Sequence, residues 1–475
     1  APGQSEAPSM FSGASIESAL RLHVQGLLAT RLVRGSWLLE RARQAECLRS
    51  AGEREGLALP HRQQLEALAP EAYLSAEEVM ALRARAGETA EPAFLLVALS
   101  YCWLCADHPD PEAYTLINFG RAVRRERSVR TCTNRAGGGK GVFPEGEFAV
   151  FWDWLSMCQK PRGSRRTPAE DAAFDLALGS INLWYAHQLT TVFCLYDLPM
   201  DSRYVLEAQH PVHPYEERGW TTYERAVSLF VKPGNFGTWQ RSIDVRGAGA
   251  RMSSGKDPPM EPRAFEQLLQ TKHWTKPADV AKVAQKYLDA VTGCLGESIR
   301  VDFSELLWDD GQAQALAQVL GFYREAESLN LNCSRITVEG TAALAQALCR
   351  GAMPMLRELL MPRSRMRDAG AEELAKLPRQ ALQNLETLDL WNCGITDRGA
   401  VALGNALLQG RMPELRALRL FSARHDWACN DLCNDIGHNG LHKLAEARDS
   451  RPDLTIWVGD MLPNDVGWPA QRLIL

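Results

Sequence analysis

This 475-residue chain lacks any apolar run long enough to cross a membrane as a helix. Its longest, Ala93 to Cys105, is about 13 residues and is broken by Ser100, whereas a span needs about 20. That stretch reads as a buried strand. An excess of one charge is also missing. The formal net charge of −5 gives no general argument for nucleic acid or an anionic membrane as partner. The 12 cysteines follow no framework spacing, in a chain far larger than disulfide-stapled scaffolds. They read as free thiols, which favours an intracellular reducing compartment. No Gly-x-Ser-x-Gly elbow, His-Glu-x2-His helix, kinase signature or Gly-x4-Gly-Lys-Ser/Thr loop occurs, which sets aside the chemistries those patterns carry. A start at Ala1 instead of methionine leaves a removed tag, leader or transit peptide open, so the start says nothing of localisation.

What is present belongs to a globular protein of two or three domains: 45% hydrophobic and 23% charged residues over this length. Residues 1–90 read as a helical N-terminal segment. Ser15 to Leu48 carries apolar residues at helical spacing, and Ser75-Ala-Glu-Glu looks like a helix start. Residues 91–240 alternate apolar strands (94–100, 148–152, 191–195) with helical stretches (112–127, 168–187), which predicts an α/β domain with a largely parallel sheet. Residues 241–294 read as a Gly/Pro-rich linker and a helix. Arg121, Arg124, Arg125, Arg127 and Arg130 precede Gly137-Gly-Gly-Lys-Gly; a solvated basic helix and loop accounts for them better than a nucleotide or RNA phosphate site. Cys102-x2-Cys105 with His108 reads as unpaired thiols, because no second cysteine pair stands at zinc spacing.

From residue 295 to 475 the chain repeats itself. Leu329, Leu359, Leu388 and Leu418 recur at intervals of 30, 29 and 30, each in a short strand pattern. Glycines 311, 340, 370, 399 and 440 follow, 29, 30, 29 and 41 apart, and open Ala/Leu helices such as Gly340-Thr-Ala-Ala-Leu-Ala-Gln-Ala-Leu. Strand, turn and helix at this period resemble about five leucine-rich repeats of the long ribonuclease-inhibitor type. The resemblance implies a solenoid with leucines inside and the alternate strand residues on a concave face. Asn330, Leu360, Asp389 and Arg419 then share one column, and Asn332, Pro362, Trp391 and Phe421 the next, with exposed Trp391 and Phe421 as anchors for a protein partner. The competing reading packs these aromatics against another part of the chain. The 41-residue gap marks an insertion from Ala423 to Asp435. There His425, Cys429, Cys433 and His438 offer zinc ligands at a spacing that fits no zinc pattern closely, so the expectation is a loop without metal.

Three segments of the central region each join large aromatics to polar groups at the end of an apolar run: 98–103 (Ala-Leu-Ser-Tyr-Cys-Trp), 151–159 (Phe-Trp-Asp…Gln) and 218–224 (Arg-Gly-Trp-Thr-Thr-Tyr-Glu). Strand ends of an α/β sheet present such groups where these folds bind ligands. Together they resemble the heterokaryon-incompatibility (HET) domain over roughly 130 residues. Ser100, Tyr101 and Trp103 match its Ala-Leu-Ser-Tyr-x-Trp element, Asp153 and Gln159 its Asp-x5-Gln interval, and Ile181, Trp184 and Tyr185 its helix. Arg218, Gly219, Trp220, Thr221 and Glu224 match its Arg-Gly-Trp-Thr-type motif. Leu104 stands where that family has glycine, and Ser156 and Cys158 where it has cysteine and asparagine, so the match is a divergent one.

The resemblance implies a TIR-like fold and, through TIR relatives that hydrolyse NAD, a nucleotide site. It implies no resident cofactor; NAD would enter as substrate. Cleavage at the nicotinamide–ribose bond needs a carboxylate beside an oxocarbenium-like sugar and apolar walls for the leaving base. Glu224 is the carboxylate best placed by motif, with Asp153 and Glu170 as alternatives. Ser100, Tyr101, Trp103, Gln159 and Trp220 would bind the ligand, and Arg218 would pair with a phosphate. Each has a plainer reading: Asp153 as a helix cap, the tryptophans as core, Arg218–Glu224 as a structural ion pair. Two functions follow. One is a sensor or adaptor whose repeats bind a protein and whose HET-like domain binds, and in the stronger form hydrolyses, a nucleotide. The other is a non-enzymatic interaction scaffold or a structural subunit of a larger assembly.

Overall fold

The computed structural model describes residues 13–88, 96–105, 107–135, 146–160, 163, 165–187, 189–206, 212–230, 242–246, 249–252, 257–422, 432–459 and 473–474. The Gly137–Gly141 loop, the Arg130 side chain, the Ser253–Lys256 stretch and His425 and Cys429 of the insertion lie outside the described residues. The chain divides into two compact units, one built mainly from residues 1–254 and 265–290 and the other mainly from 291–475. Both are mixed α/β, with parallel strands alternating with helices. Among the described residues no helix is long and apolar enough to cross a membrane.

The first unit is organised by a seven-stranded sheet. Its spatial order is Tyr73–Leu74, Leu32–Arg34, Ala149–Phe151, Leu96–Tyr101, Thr190–Leu195, Ser242–Arg246 and Gly249–Met252. The four inner strands from Ala149–Phe151 to Ser242–Arg246 run parallel, and the strands flanking them are antiparallel. Leu96–Tyr101 and Thr190–Leu195 are buried along their whole length, as apolar strands covered on both faces should be. Val97, Leu99, Tyr101, Val150, Trp152, Phe193 and Leu195 project into one core, shared with the helices Gly35–Ser50 and Tyr114–Arg135. Ala98 and Ser100 face the other way, toward the helices Ile181–Ala186 and Gly219–Ser228.

Two expectations fail here for one reason: very short strands carry no readable period. Residues 1–90 are not all helix. They include a small hairpin (His23–Val24 with Leu27–Leu28) and the strands Leu32–Arg34 and Tyr73–Leu74, which belong to the sheet. Arg62, fully buried, ties this region to the rest. It donates to the carbonyls of Leu28 (2.5 Å), Ala29 (2.7 Å) and Ser156 (3.2 Å) and pairs with Glu66. Likewise the stretch after residue 241 is no linker, because Ser242–Arg246 and Gly249–Met252 extend the sheet as an antiparallel pair. The helix expected over 168–187 breaks at Ser180 into Pro168–Gly179 and Ile181–Ala186. At Ser75 the expected helix start holds: Ser75 Oγ accepts from the Glu78 amide and Glu78 accepts from that of Ser75.

In the second unit, Arg300–Asp302, Ser328–Asn330, Glu358–Leu360, Thr387–Asp389, Ala417–Arg419 and Thr455–Val458 pair in parallel one after another, and Leu473–Ile474 adds antiparallel to the last. Leu329, Leu359, Leu388, Leu418 and Ile456 are mutual partners in this register, all buried. A helix follows each of the first five strands. Helices tie to one another through aspartates. Asp310 accepts from the Gly340 amide (2.9 Å) and Thr337, Asp368 from Gly399 (2.9 Å) and Thr396, and Asp397 from Gly440 (2.8 Å). Each carboxylate thereby serves the open N-terminal amides of the next helix. Glycine is required at these contacts: a Cβ on Gly340 would meet Asp310 at 2.5 Å and one on Gly399 would meet Asp368 at 2.7 Å.

Candidate functional site

The parallel strands of the first unit end at one edge, and the polar groups of the three motifs gather there. Tyr101 closes its strand, and its hydroxyl donates to Asp153 Oδ1 at 2.6 Å. Trp103 Nε1 donates to Asp153 Oδ2 (3.1 Å) and the Trp154 amide to Oδ1 (2.7 Å). Three donors thus converge on one half-buried carboxylate at the start of the helix Asp153–Ser156. Burial raises the Asp153 pKa against the pull of those donors. On the opposite face of the same strand, Ser100 Oγ donates to Glu224 Oε2 and meets the Tyr215 hydroxyl, both at 2.6 Å. Tyr185 donates to the Leu99 carbonyl (2.9 Å), closing a polar node of Ser100, Tyr185, Tyr215 and Glu224.

The two nodes leave the strand on opposite faces yet are felt by one another at its end. Burial first, and then the charge of Asp153, push the Glu224 carboxyl up to about 8, against hydrogen bonds from Ser100 and Tyr185 and the nearby Arg218. At neutral pH Glu224 therefore holds its proton while remaining partly accessible. Arg218 bridges the nodes: from the start of the helix Gly219–Ser228, its Nη1 donates to the Trp103 carbonyl at 2.8 Å. Gly219 is where the chain must approach closely, since a Cβ there would lie 2.0 Å from the Trp274 ring. Cys102, between the motifs, is pushed up to about 11 by burial and is an inert thiol.

Ser100, Tyr101, Trp103, Asp153, Arg218 and Glu224 are thus brought together, and three of the expected residues are not. Glu170 sits in a capping box with Thr167 and accepts from Gln63; burial pushes its carboxyl up, but these bonds bring it below the ordinary value. Gln159 is buried and spends its amide on the carbonyls of Asp153 (2.8 Å) and Met157 (3.0 Å), holding the loop that carries Asp153. Trp220 turns the other way, donating to Asp279 at 3.2 Å. Tyr215 was not singled out from sequence, because its bond to Ser100 spans 115 positions and no motif marks it. The arginines read as a basic helix are partly neutralised: Arg121 and Arg124 both bond to Glu46.

In the second unit the register puts Asn330, Leu360, Asp389, Arg419 and Trp457 side by side as one column. Asp389 is buried and ion-paired with Arg419 at 3.0 Å; burial raises its pKa and Arg419 opposes this. The expectation of an exposed Trp391–Phe421 pair needs correcting. Phe421 is only 4% exposed, stacked on half-buried Trp391 (centroids 5.4 Å apart), whose ring also lies against Arg363. Asn330, Asn332, Leu360, Trp391, Arg419 and Trp457 are the half-exposed members. Asn434, missed in the sequence because it lies within the stretch read as an insertion, is buried inside the repeat and bonds with four backbone groups, those of Leu390, Leu420, Cys393 and Ile395.

Residues 381–404 match the family model of the leucine-rich repeat. That segment contains the Thr387–Asp389 strand and the start of the Asp397–Leu408 helix, one unit of the repeating pattern. A leucine-rich repeat supports a capacity for protein interaction in this part of the chain. No curated protein matches the chain.

Proposed function

We propose that the chain is a recognition protein in which a leucine-rich-repeat solenoid binds a protein partner through its strand face. The observation that carries this is the registered column running from Asn330 to Trp457, flanked by half-exposed Asn332 and Trp391, in the unit that contains the repeat match. A ladder of identical backbone spacing with varied polar and aromatic tips suits an extended protein surface better than a small ligand. The test is capture of partners by the full chain, followed by affinity measurement with each purified partner. The double variant Asn330→Arg, Asn332→Arg should bind at least about 10-fold more weakly, the scale of an interface hot spot. Unchanged affinity for every partner refutes the reading.

The paired nodes at the sheet edge favour a second activity in the first unit, nucleotide binding with hydrolysis of NAD in its HET/TIR-like domain. Water would attack the ribose carbon as nicotinamide departs with the bond electrons, giving ADP-ribose, nicotinamide and one proton. The proton needs a base, and a carboxylate beside the oxocarbenium-like centre needs to be ionised. Glu224 meets neither need until the pH approaches its value of about 8. The rate should therefore climb about 10-fold per pH unit below that value and level off above it. Arg218 would hold a phosphate and Trp103 would cover the base. Nicotinamide release by the full chain, lost in Glu224→Gln, is the expected result. No release at high protein concentration leaves the scaffold reading, with the first unit as a structural or oligomerising module.

A further inference from the structure

Outside both regions, the side chains of His213, Glu217 and His273 converge. His213 and Glu217 stand four residues apart across the turn Tyr215–Glu217, while His273 arrives from the bend after the helix Pro262–Gln270. His213 Nδ1 lies 3.4 Å and His273 Nε2 3.7 Å from the same oxygen, Glu217 Oε2. The backbone holds this meeting in place: the His273 amide donates to the Glu217 carbonyl (2.7 Å) and the Gly219 amide to that of His273 (3.2 Å). Among the described residues this is the one such convergence of three ligating side chains.

We propose that His213, Glu217 and His273 form a site for a divalent transition metal of the zinc class, with three protein ligands and a fourth position open to water. Bonds of 2.0–2.1 Å in tetrahedral geometry put neighbouring ligand atoms about 3.3–3.4 Å apart; the two imidazole nitrogens stand 3.4 and 3.7 Å from Glu217 Oε2, and all three ligand atoms lie within 4.8 Å of one another. Two imidazole nitrogens and one carboxylate oxygen suit zinc, copper or nickel; magnesium and calcium prefer all-oxygen sets. The rings now stack, with centroids 3.4 Å apart and planes within 8°. Because in-plane lone pairs must aim at a common ion, binding tilts one ring out of the stack. His273 is exposed and has room to do so. Of the cations nearby, Arg246 is paired with Glu216 at 2.5 Å, while the Lys272 ammonium donates to the neutral Glu216 carbonyl and keeps its charge.

The site also has a reach beyond itself. Arg218 follows Glu217 directly and pairs with His273 through the backbone, while its side chain extends to the Trp103 carbonyl. A bound ion fastens the bend at His273 to the start of the helix that carries Arg218 and Glu224, so occupancy sets how firmly the arginine is held.

The test titrates zinc into the metal-free full chain against a chromophoric chelator and repeats the titration with cobalt(II), read by visible absorption. The number of tightly bound zinc ions should fall by one in the double variant His213→Asn, His273→Asn. Binding at this site should weaken at least about 10-fold in Glu217→Gln, whose exposed position makes loss of folding an unsuitable explanation. Circular dichroism of the metal-free variants should equal that of the metal-free parent. Cobalt lost with the double variant should show tetrahedral bands without thiolate charge-transfer absorption. The proposal is overturned if stoichiometry is unchanged in the double variant, if the parent takes up no zinc, or if the cobalt it loses carries a sulfur signature.

Discussion

Replacing Glu224 with glutamine should make the protein progressively more stable relative to the parent as pH rises. In the folded chain the Glu224 carboxyl is shifted from 4.5 to about 8, chiefly by burial. The folded state therefore holds this proton more tightly than the unfolded state does. Between the two values folding takes up a proton, and stability falls with rising pH until the folded group ionises. This contribution is complete below the unfolded value and is lost as pH climbs through the folded one. Each pH unit in the window costs about 1.4 kcal/mol. From about pH 6 to about pH 8, allowing for partial ionisation at the top, the loss is about 2 kcal/mol. Glutamine keeps an acceptor for Ser100 Oγ, places an N–H2 where the carboxylic proton sits, and does not titrate. Other titrating groups are common to both chains and cancel in the difference. The assay is urea denaturation of parent and variant followed by circular dichroism across this range, on the transition that responds to the substitution. A difference that stays flat would mean that Glu224 ionises at its ordinary value in the fold, and the account of a proton-holding node would fall.

Three further outcomes follow from the packing. Asp368→Ala removes the acceptor for the Thr396 amide, its hydroxyl and the Gly399 amide, and should cost about 1–3 kcal/mol by thermal denaturation, with Asp368→Asn costing less. Gly219→Ala drives a methyl into the Trp274 ring and should cost about 1–3 kcal/mol, read as a lower midpoint in urea. Arg62→Met removes the side-chain donors to the carbonyls of Leu28, Ala29 and Ser156 and leaves Glu66 with Arg31 as its cationic partner, and about 2–4 kcal/mol of destabilisation is expected in the same assay.

The repeats were legible because their information is local and recurs. Leu329, Leu359, Leu388 and Leu418 lie at intervals of 29 or 30, and the parallel register joins those very residues. Three inner strands of the first sheet, Leu96–Tyr101, Ala149–Phe151 and Thr190–Leu195, were legible as apolar runs. Leu32–Arg34, Tyr73–Leu74 and the pair after residue 241 were not, because strands of two to five residues show no period and the glycines beside the last pair look like a loop. At the candidate site, motif spacing located Ser100, Tyr101, Asp153 and Glu224, but side-chain direction lay beyond it. Trp220 turned to Asp279, 59 positions away, and Gln159 turned into its own loop. Alternation along Leu96–Tyr101 did contain one unused clue: adjacent Ser100 and Tyr101 must leave opposite faces.

The aspartate links between repeat helices have a mechanical consequence. Asp310, Asp368 and Asp397 each fasten the following helix, but Val338 stands where Asp368 and Asp397 stand, two residues ahead of a glycine, and Glu339 turns back to Thr337 of its own repeat. The joint between the helices Val338–Cys349 and Arg367–Ala375 therefore lacks that carboxylate clamp. Under load, or in a partial unfolding event, the array should part at this seam into two blocks instead of peeling one repeat at a time.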